Sequence, residues 1–381
     1  MTDSKPVPVE FINQIANLKP AAKEMYGSPV IAVDTESNSR HYYPEQLCLI
    51  QIATRHKIFI IDTLALGELT PLKDIMADRT IQKVFHSADY DIRSLDRHQG
   101  LLIRNIYDTQ VSARFTGITQ FSLAALLKDV LGIPIEKNAR LQKADWGLRP
   151  LSDEAIAYAA DDVRYLLPLQ QELDQRLQAL DRTGWAIEEC LRLEEVRYSA
   201  PDLETTYRSI KGVTSLDSRG VAIFKRLFLF REAQARRWHR PPFYLIPDSA
   251  MLSLAADPTV NLSDVPGIGQ IWLNRFGRDL QQALDQGQKE PPINFPPAVR
   301  PPRPTDEQIK RLNRLREWRA ALSVSLALDP SLIWASASLE RLAEAPDTIT
   351  DELGHPGIRR WQSQTFGASL ADLLKSLIDN G

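Results

Sequence analysis

Two cysteines, Cys48 and Cys190, are all that this chain of 381 residues contains. So few, so far apart, exclude a disulfide framework and a cysteine-based zinc site, and they favour a reducing cytosol. Long apolar runs are missing too: none approaches the ~18 residues of a membrane span. Met1 to Glu10 lacks a basic segment leading into an apolar core, so no signal peptide is evident. The expectation is a soluble, cytoplasmic protein with no membrane partner. Nor is there an excess of charge of one sign. A net charge of −3 argues nothing for nucleic acid over the whole chain, so any basic face has to be local. The length suffices for two or three domains with proper cores.

The chain is organised around Val30-Ile-Ala-Val-Asp34-Thr-Glu36. Four apolar, mostly β-branched residues read as a short buried strand, and two carboxylates arrive as it ends. Side chains at i and i+2 of a strand leave on one face, so Asp34 and Glu36 can point at one spot. Two carboxylates side by side repel unless a cation or proton sits between them, and hard oxygen ligands suit Mg²⁺ or Mn²⁺. The plainer alternative is a strand-end turn whose acids cap a following helix.

Residues 9–27 carry a helix-like apolar pattern. Strand-like runs follow at 30–34, 47–53 and 57–62, a helix near 71–77, a strand at 82–86, and helical spacing again from Asp89. Hairpin-like strands followed by alternating helix and strand read as a mixed-sheet α/β domain. Residues 123–180 read as mostly helical. There, Tyr158 and Asp162 stand at i and i+4, on one helix face. Asp91 opens its own helix five residues after His86, where an acid could simply meet the helix N-terminus.

Asp-x-Glu at a first strand, Val-Phe-His86-x₄-Asp91 at a strand-to-helix junction and Tyr158-x₃-Asp162 on a later helix form an ordered set. It resembles the tyrosine-bearing branch of the DEDD exonuclease superfamily. The histidine branch would want His where Ala157 stands. Tyr43-Pro44, Leu47-Cys-Leu-Ile-Gln-Ile, Asp145-Trp146-x₂-Arg149-Pro150-Leu151-Ser and Tyr158-Ala-Ala-x-Asp162-Val-x-Tyr-Leu extend the likeness to the ribonuclease D family. The resemblance implies a ribonuclease H-like mixed sheet and a site with two divalent metal ions, Mg²⁺ or Mn²⁺. Asp34 would bridge both, Glu36 and Asp162 would complete the water-holding site, and Asp91 would serve the second ion. Tyr158 would orient the attacking water. The spacings from His86 and Tyr158 select Asp91 over Asp89 and Asp162 over Asp161; His86 itself reads as a satisfied strand-end histidine.

The same resemblance lets Gln142, Trp146 and Arg149 line a cleft gripping a 3′ end, against a core tryptophan with an arginine satisfying local carbonyls. Tyr42 and Tyr43 could stack on terminal bases. Residues 208–240 hold nine basic side chains against Asp217 and Glu232. This local excess includes Arg231, Arg236, Arg237 and Arg240, with Trp238, Phe243 and Tyr244 interleaved, and it suits phosphate binding. Arg231-Glu-Ala, Pro241-Pro, Pro266-Gly-Ile and Phe276-Gly resemble an HRDC domain. Pro356-Gly-Ile and Phe366-Gly repeat two of these at an offset of 90 residues (266 to 356, 276 to 366), and Leu315-Arg-Glu is matched to Phe230-Arg-Glu.

The expected organisation is a catalytic domain over 1–200, an HRDC-like helical domain over 208–288, a proline-rich linker over 289–305 and a second, divergent HRDC-like domain over 306–381. The resemblance implies 3′→5′ hydrolysis of RNA to nucleoside 5′-monophosphates, with a precursor tRNA or another structured RNA bearing a 3′ extension as the substrate; two appended binding domains in one chain make a monomer sufficient. Single-stranded DNA is the alternative substrate, and an inactive RNA-binding scaffold the alternative class. No Gly-x₄-Gly-Lys loop accompanies the domain, which favours RNA processing over a polymerase or helicase context.

Overall fold

The computed structural model describes residues 7–135, 138–295 and 303–379. Six strands form one mixed sheet: β1 (Val9–Ile12), β2 (Val30–Ser37), β3 (Leu47–Ala53), β4 (Ile58–Asp62), β5 (Gln82–Phe85) and β6 (Ile106–Asp108), in the order β1-β4-β3-β2-β5-β6. The hairpins β2–β3 and β3–β4 are antiparallel, while β1 on β4, β5 on β2 and β6 on β5 are parallel. Every residue of β3 is buried, as a central strand covered on both faces requires.

The two-residue period of β2 sorts its side chains between two layers. Ile31 and Val33 join a core with helices Ile15–Tyr26, Thr70–Ala77 and Asp89–Gln99. Ala32 faces the opposite core, against Ala155, Ala159, Ala160 and Val163 of helix Asp153–Arg164. Asp34 and Glu36 therefore continue the face that looks at helix 153–164, and Thr35 the face that looks at helix 89–99.

One expectation needs correction, and one strand goes unread in the sequence. The pattern over 9–27 divides into strand β1 and helix Ile15–Tyr26: in β1, Phe11 packs into one core layer and Ile12 into the other, which only an extended segment can do. Strand β6 has only three residues, too few to show a period. The helical reading of 123–180 holds for Leu123–Leu131, Asp153–Arg164 and Leu166–Ala179, with one short turn at Leu141–Lys143 between them.

Beyond the sheet domain, helices Ser218–Trp238, Pro242–Leu245, Asp248–Ala256 and Gln270–Lys289 recur as Asp306–Leu326, Pro330–Ile333, Ser336–Glu344 and Arg360–Asp379. The first three recur 88 positions on (218 to 306, 242 to 330, 248 to 336), the last 90 (270 to 360). An arginine clamp recurs too. Arg231 Nη1 donates to Ile246 O (2.9 Å) and Asp248 Oδ1 (2.6 Å), as Arg319 Nη1 does to Trp334 O (3.0 Å) and Ser336 Oγ (2.9 Å). Arg319, not Arg316, is thus the counterpart of Arg231. The match of Leu315-Arg-Glu to Phe230-Arg-Glu slips by one turn, because helical spacing makes neighbouring turns look alike. Of the expected linker, Lys289 still belongs to a helix, and Pro296, Pro297, Pro301 and Pro302 lie outside the described residues. No described helix is long and apolar enough to cross a membrane.

Candidate active site

Three elements bring the four acids together. β2 delivers Asp34 and Glu36, the first turn of helix 89–99 delivers Asp91, and helix 153–164 delivers Tyr158 and Asp162. Asp108, at the end of β6, fixes the junction before helix 89–99 by accepting from Ser87 N (3.1 Å) and Ala88 N (2.8 Å), where Ser87 takes φ 63°. Thr35 Oγ1 donates to Asp91 Oδ1 at 2.5 Å. Neither Thr35 nor Asp108 stands out from the sequence. The alternation of β2 could have pointed to Thr35; Asp108 rests on a strand too short to recognise.

The acids disturb one another strongly. Burial, then Asp34, Asp162 and Asp91, push Glu36 up to about 10. Burial takes Asp34 up to about 7. Asp91 and Asp162 also rise, first through burial and next through Asp34. Among the described residues, no lysine or arginine is among the groups acting on these four. The neighbouring acids differ: Asp89 pairs with Arg93 (2.8 Å) and Asp161 with Arg164 (2.6 Å). Tyr158 is raised by burial, then by Asp162 and Glu36, with a hydrogen bond from Gln142 opposing the rise. A cavity of about 200 Å³ opens here, lined by Gln142, Tyr158, Asp162 and Ile135 among others. His86 pairs with Thr109 Oγ1 at 2.9 Å and is pushed down by burial, as a satisfied strand-end histidine should be.

Among the described residues, no three His, Cys, Asp or Glu side chains are drawn into a ready-made metal cage. The donor set nonetheless fits hard divalent cations: four desolvated carboxylates that repel one another, with no cation among the described residues to offset them.

Other candidates have different employment. Trp146 is 2 % exposed, its ring 6.0 Å from that of Tyr158, so it packs behind the tyrosine and cannot stack on a base. Arg149 forks onto the buried Asp62 (Nε to Oδ2 2.6 Å, Nη2 to Oδ1 2.7 Å) and donates to Trp146 O at 2.7 Å. It is a structural clamp rather than a phosphate contact. Arg231 is buried in its helical domain by the clamp described above. Tyr43 donates to Glu232 and lies under Arg236, 5.5 Å from ring centroid to guanidinium, while Tyr42 stacks on His239 at 4.9 Å. Both tyrosines join the loop after β2 to the first helical domain. Gln142, Arg236, Arg237 and Arg240 are exposed.

Comparison with known proteins agrees with this geometry. Residues 9–178 match the 3′-5′ exonuclease family and residues 221–284 the HRDC domain. A ribonuclease D from Gluconacetobacter diazotrophicus is 30 % identical over 372 residues, covering 95 % of this chain and 91 % of its own. The chain belongs to the ribonuclease D family. It is a 3′-5′ exoribonuclease, and ribonucleases of this DEDD type generally depend on divalent metal. Among solved structures, Escherichia coli ribonuclease D shares the fold, with a TM-score of 0.73 at 22 % identity over 97 % of this chain and 99 % of its own. So does a protein from Bifidobacterium adolescentis, with a TM-score of 0.82 at 20 % identity over 96 % of this chain and 97 % of its own.

Proposed function

We propose that Asp34, Glu36, Asp91 and Asp162 hold two divalent ions, Mg²⁺ or Mn²⁺, and that the chain shortens RNA from its 3′ end to nucleoside 5′-monophosphates. The observation that carries this reading is the convergence of four desolvated acids with no cation among the described residues to balance them. Bound divalent ions would supply an activated water and neutralise charge building on the scissile phosphate. The protein supplies position. Thr35 anchors one oxygen of Asp91, and Asp108 sets the turn that presents it. Tyr158, held protonated by burial and by the surrounding acids, donates a hydrogen bond that orients the attacking water rather than taking its proton. Gln142 lines the same cavity beside the phenol, and Trp146 backs its ring.

Residues 1–200 form the catalytic domain in this reading. Residues 208–288 form an HRDC-like domain and 306–381 a divergent copy of it, as the recurrence of helices and of the arginine clamp supports. Precursor tRNA with a 3′ extension is the proposed substrate in the cytoplasm, and one chain suffices. A 5′-labelled 3′-extended tRNA and a matched single-stranded DNA, each incubated with metal, test the reading. It expects a ladder shortening from the 3′ end of the RNA; a ladder on DNA alone contradicts it.

A further inference from the structure

The equivalence of the two helical repeats allows a comparison residue by residue. In the first repeat, the end of the long helix and the turn after it carry Arg236, Arg237 and Arg240, and the last helix adds Arg275 and Arg278; all five are exposed. Arg275 lies over Trp238 at 3.6 Å, and the exposed rings of Phe243 and Tyr244, 4.5 Å apart, follow in the next short helix. None of the five guanidiniums pairs with a carboxylate among the described residues. Offsets of 88 and 90 (236 to 324, 275 to 365) give their counterparts as Val324, Ser325, Leu328, Thr365 and Ala368. Not one is charged. Phe243 and Tyr244 correspond to Ser331 and Leu332.

In the second repeat that corner is uncharged and partly docked: Val324, Ser325, Thr365 and Ala368 stay exposed, while Leu328 turns inward. Leu328 and Leu332 are buried in one cluster with Phe115 and Leu177 of the sheet domain. Arg182 ties Phe115 O to Leu326 O, both at 2.8 Å. Trp185 stacks on Trp361 at 4.7 Å, and Arg359 pairs with Glu189 at 2.7 Å. The first repeat touches the sheet domain differently, through Tyr43–Glu232 and Tyr42–His239. Those contacts, with Arg236 over Tyr43, set that end of the long helix beside the loop that leaves β2.

We propose that the repeats divide their labour: the first alone grips the RNA strand approaching the metal site, and the second is a brace. Unpaired guanidiniums bind phosphates and exposed rings stack on unpaired bases; the second repeat's corner exposes only uncharged, ringless side chains and buries Leu328 and Leu332 against the sheet domain, so it can do neither. The proposal rests on RNA being the substrate.

Its test uses the full chain in chelator, so that binding is read without hydrolysis, and an RNA hairpin with a single-stranded 3′ extension. Arg237→Glu with Arg240→Glu should weaken binding by about tenfold or more and flatten the salt dependence, by ~0.7 in log–log slope for each phosphate no longer neutralised. Phe243→Ala with Tyr244→Ala should weaken binding with the salt slope unchanged. Val324→Glu with Ser325→Glu should stay within about twofold of wild type. Matching melting temperatures exclude misfolding. Wild-type binding by the first pair, or equal weakening by the Val324 and Ser325 pair, overturns the division of labour. Wild-type chain that fails to shorten the RNA once metal is restored overturns the substrate reading, and the proposal with it.

Discussion

Thr35 Oγ1 donates to Asp91 Oδ1 across 2.5 Å, and this bond ties the central strand to the helix on one side of the sheet. Thr35 points there because Asp34 and Glu36, its neighbours on either side, point to the other. One Asp-Thr-Glu triplet therefore organises both halves of the site. Its two acids meet Asp162 and Tyr158, and its hydroxyl holds Asp91. Thr35→Val keeps the shape and removes the bond. It should cut kcat by about tenfold or more with a smaller change in KM, as expected for a group acting through another. Steady-state kinetics on a short RNA reads the split; an unchanged kcat contradicts the role.

The raised acids make metal-free stability depend on pH. From the ordinary carboxylate range to about 7 for Asp34, and to about 10 for Glu36, the folded chain holds protons that the unfolded chain has released. Stability from these groups is full in acid and is lost as pH rises through that window. Thermal melts in chelator should fall from about pH 5 to about pH 9, and Mg²⁺ or Mn²⁺ should restore most at the alkaline end. A chelated protein that grows more stable over that span contradicts the picture.

Tyr158→Phe should lower kcat by roughly 10- to 100-fold and leave metal affinity unchanged. Because the phenol is held well above its ordinary value by burial and by Asp162 and Glu36, the wild-type rate should show no alkaline limb that the variant lacks. Such a limb would make the tyrosine a base.

Much of the site was legible, for local reasons. The strand period exposed the pairing of Asp34 with Glu36, and the spacings from His86 and Tyr158 separated Asp91 and Asp162 from Asp89 and Asp161. What sequence could not show depends on distant partners. Arg149 is occupied by Asp62, 87 residues away, and Tyr43 by Glu232, 189 residues away. Strands β1 and β6 occupy the two edges of the sheet, and four and three residues leave little pattern to read.

Arg149→Met should cost stability and only secondarily rate. It leaves the buried Asp62 without its forked partner, a loss of about 2–4 kcal/mol. A denaturant midpoint lowered at constant m, with kcat for a short RNA reduced less than by Tyr158→Phe, is the expected result. Weaker RNA binding at unchanged stability would return Arg149 to the substrate cleft.

The most direct measurement follows a 5′-labelled, 3′-extended RNA with wild type and Asp162→Asn side by side, in chelator and after Mg²⁺ or Mn²⁺ is restored. The account predicts a ladder shortening from the 3′ end only in wild type with metal, and a rate at least ~10²-fold lower in the variant, which should still fold and bind the RNA. A ladder of equal speed in Asp162→Asn, or one that persists in chelator, would contradict it.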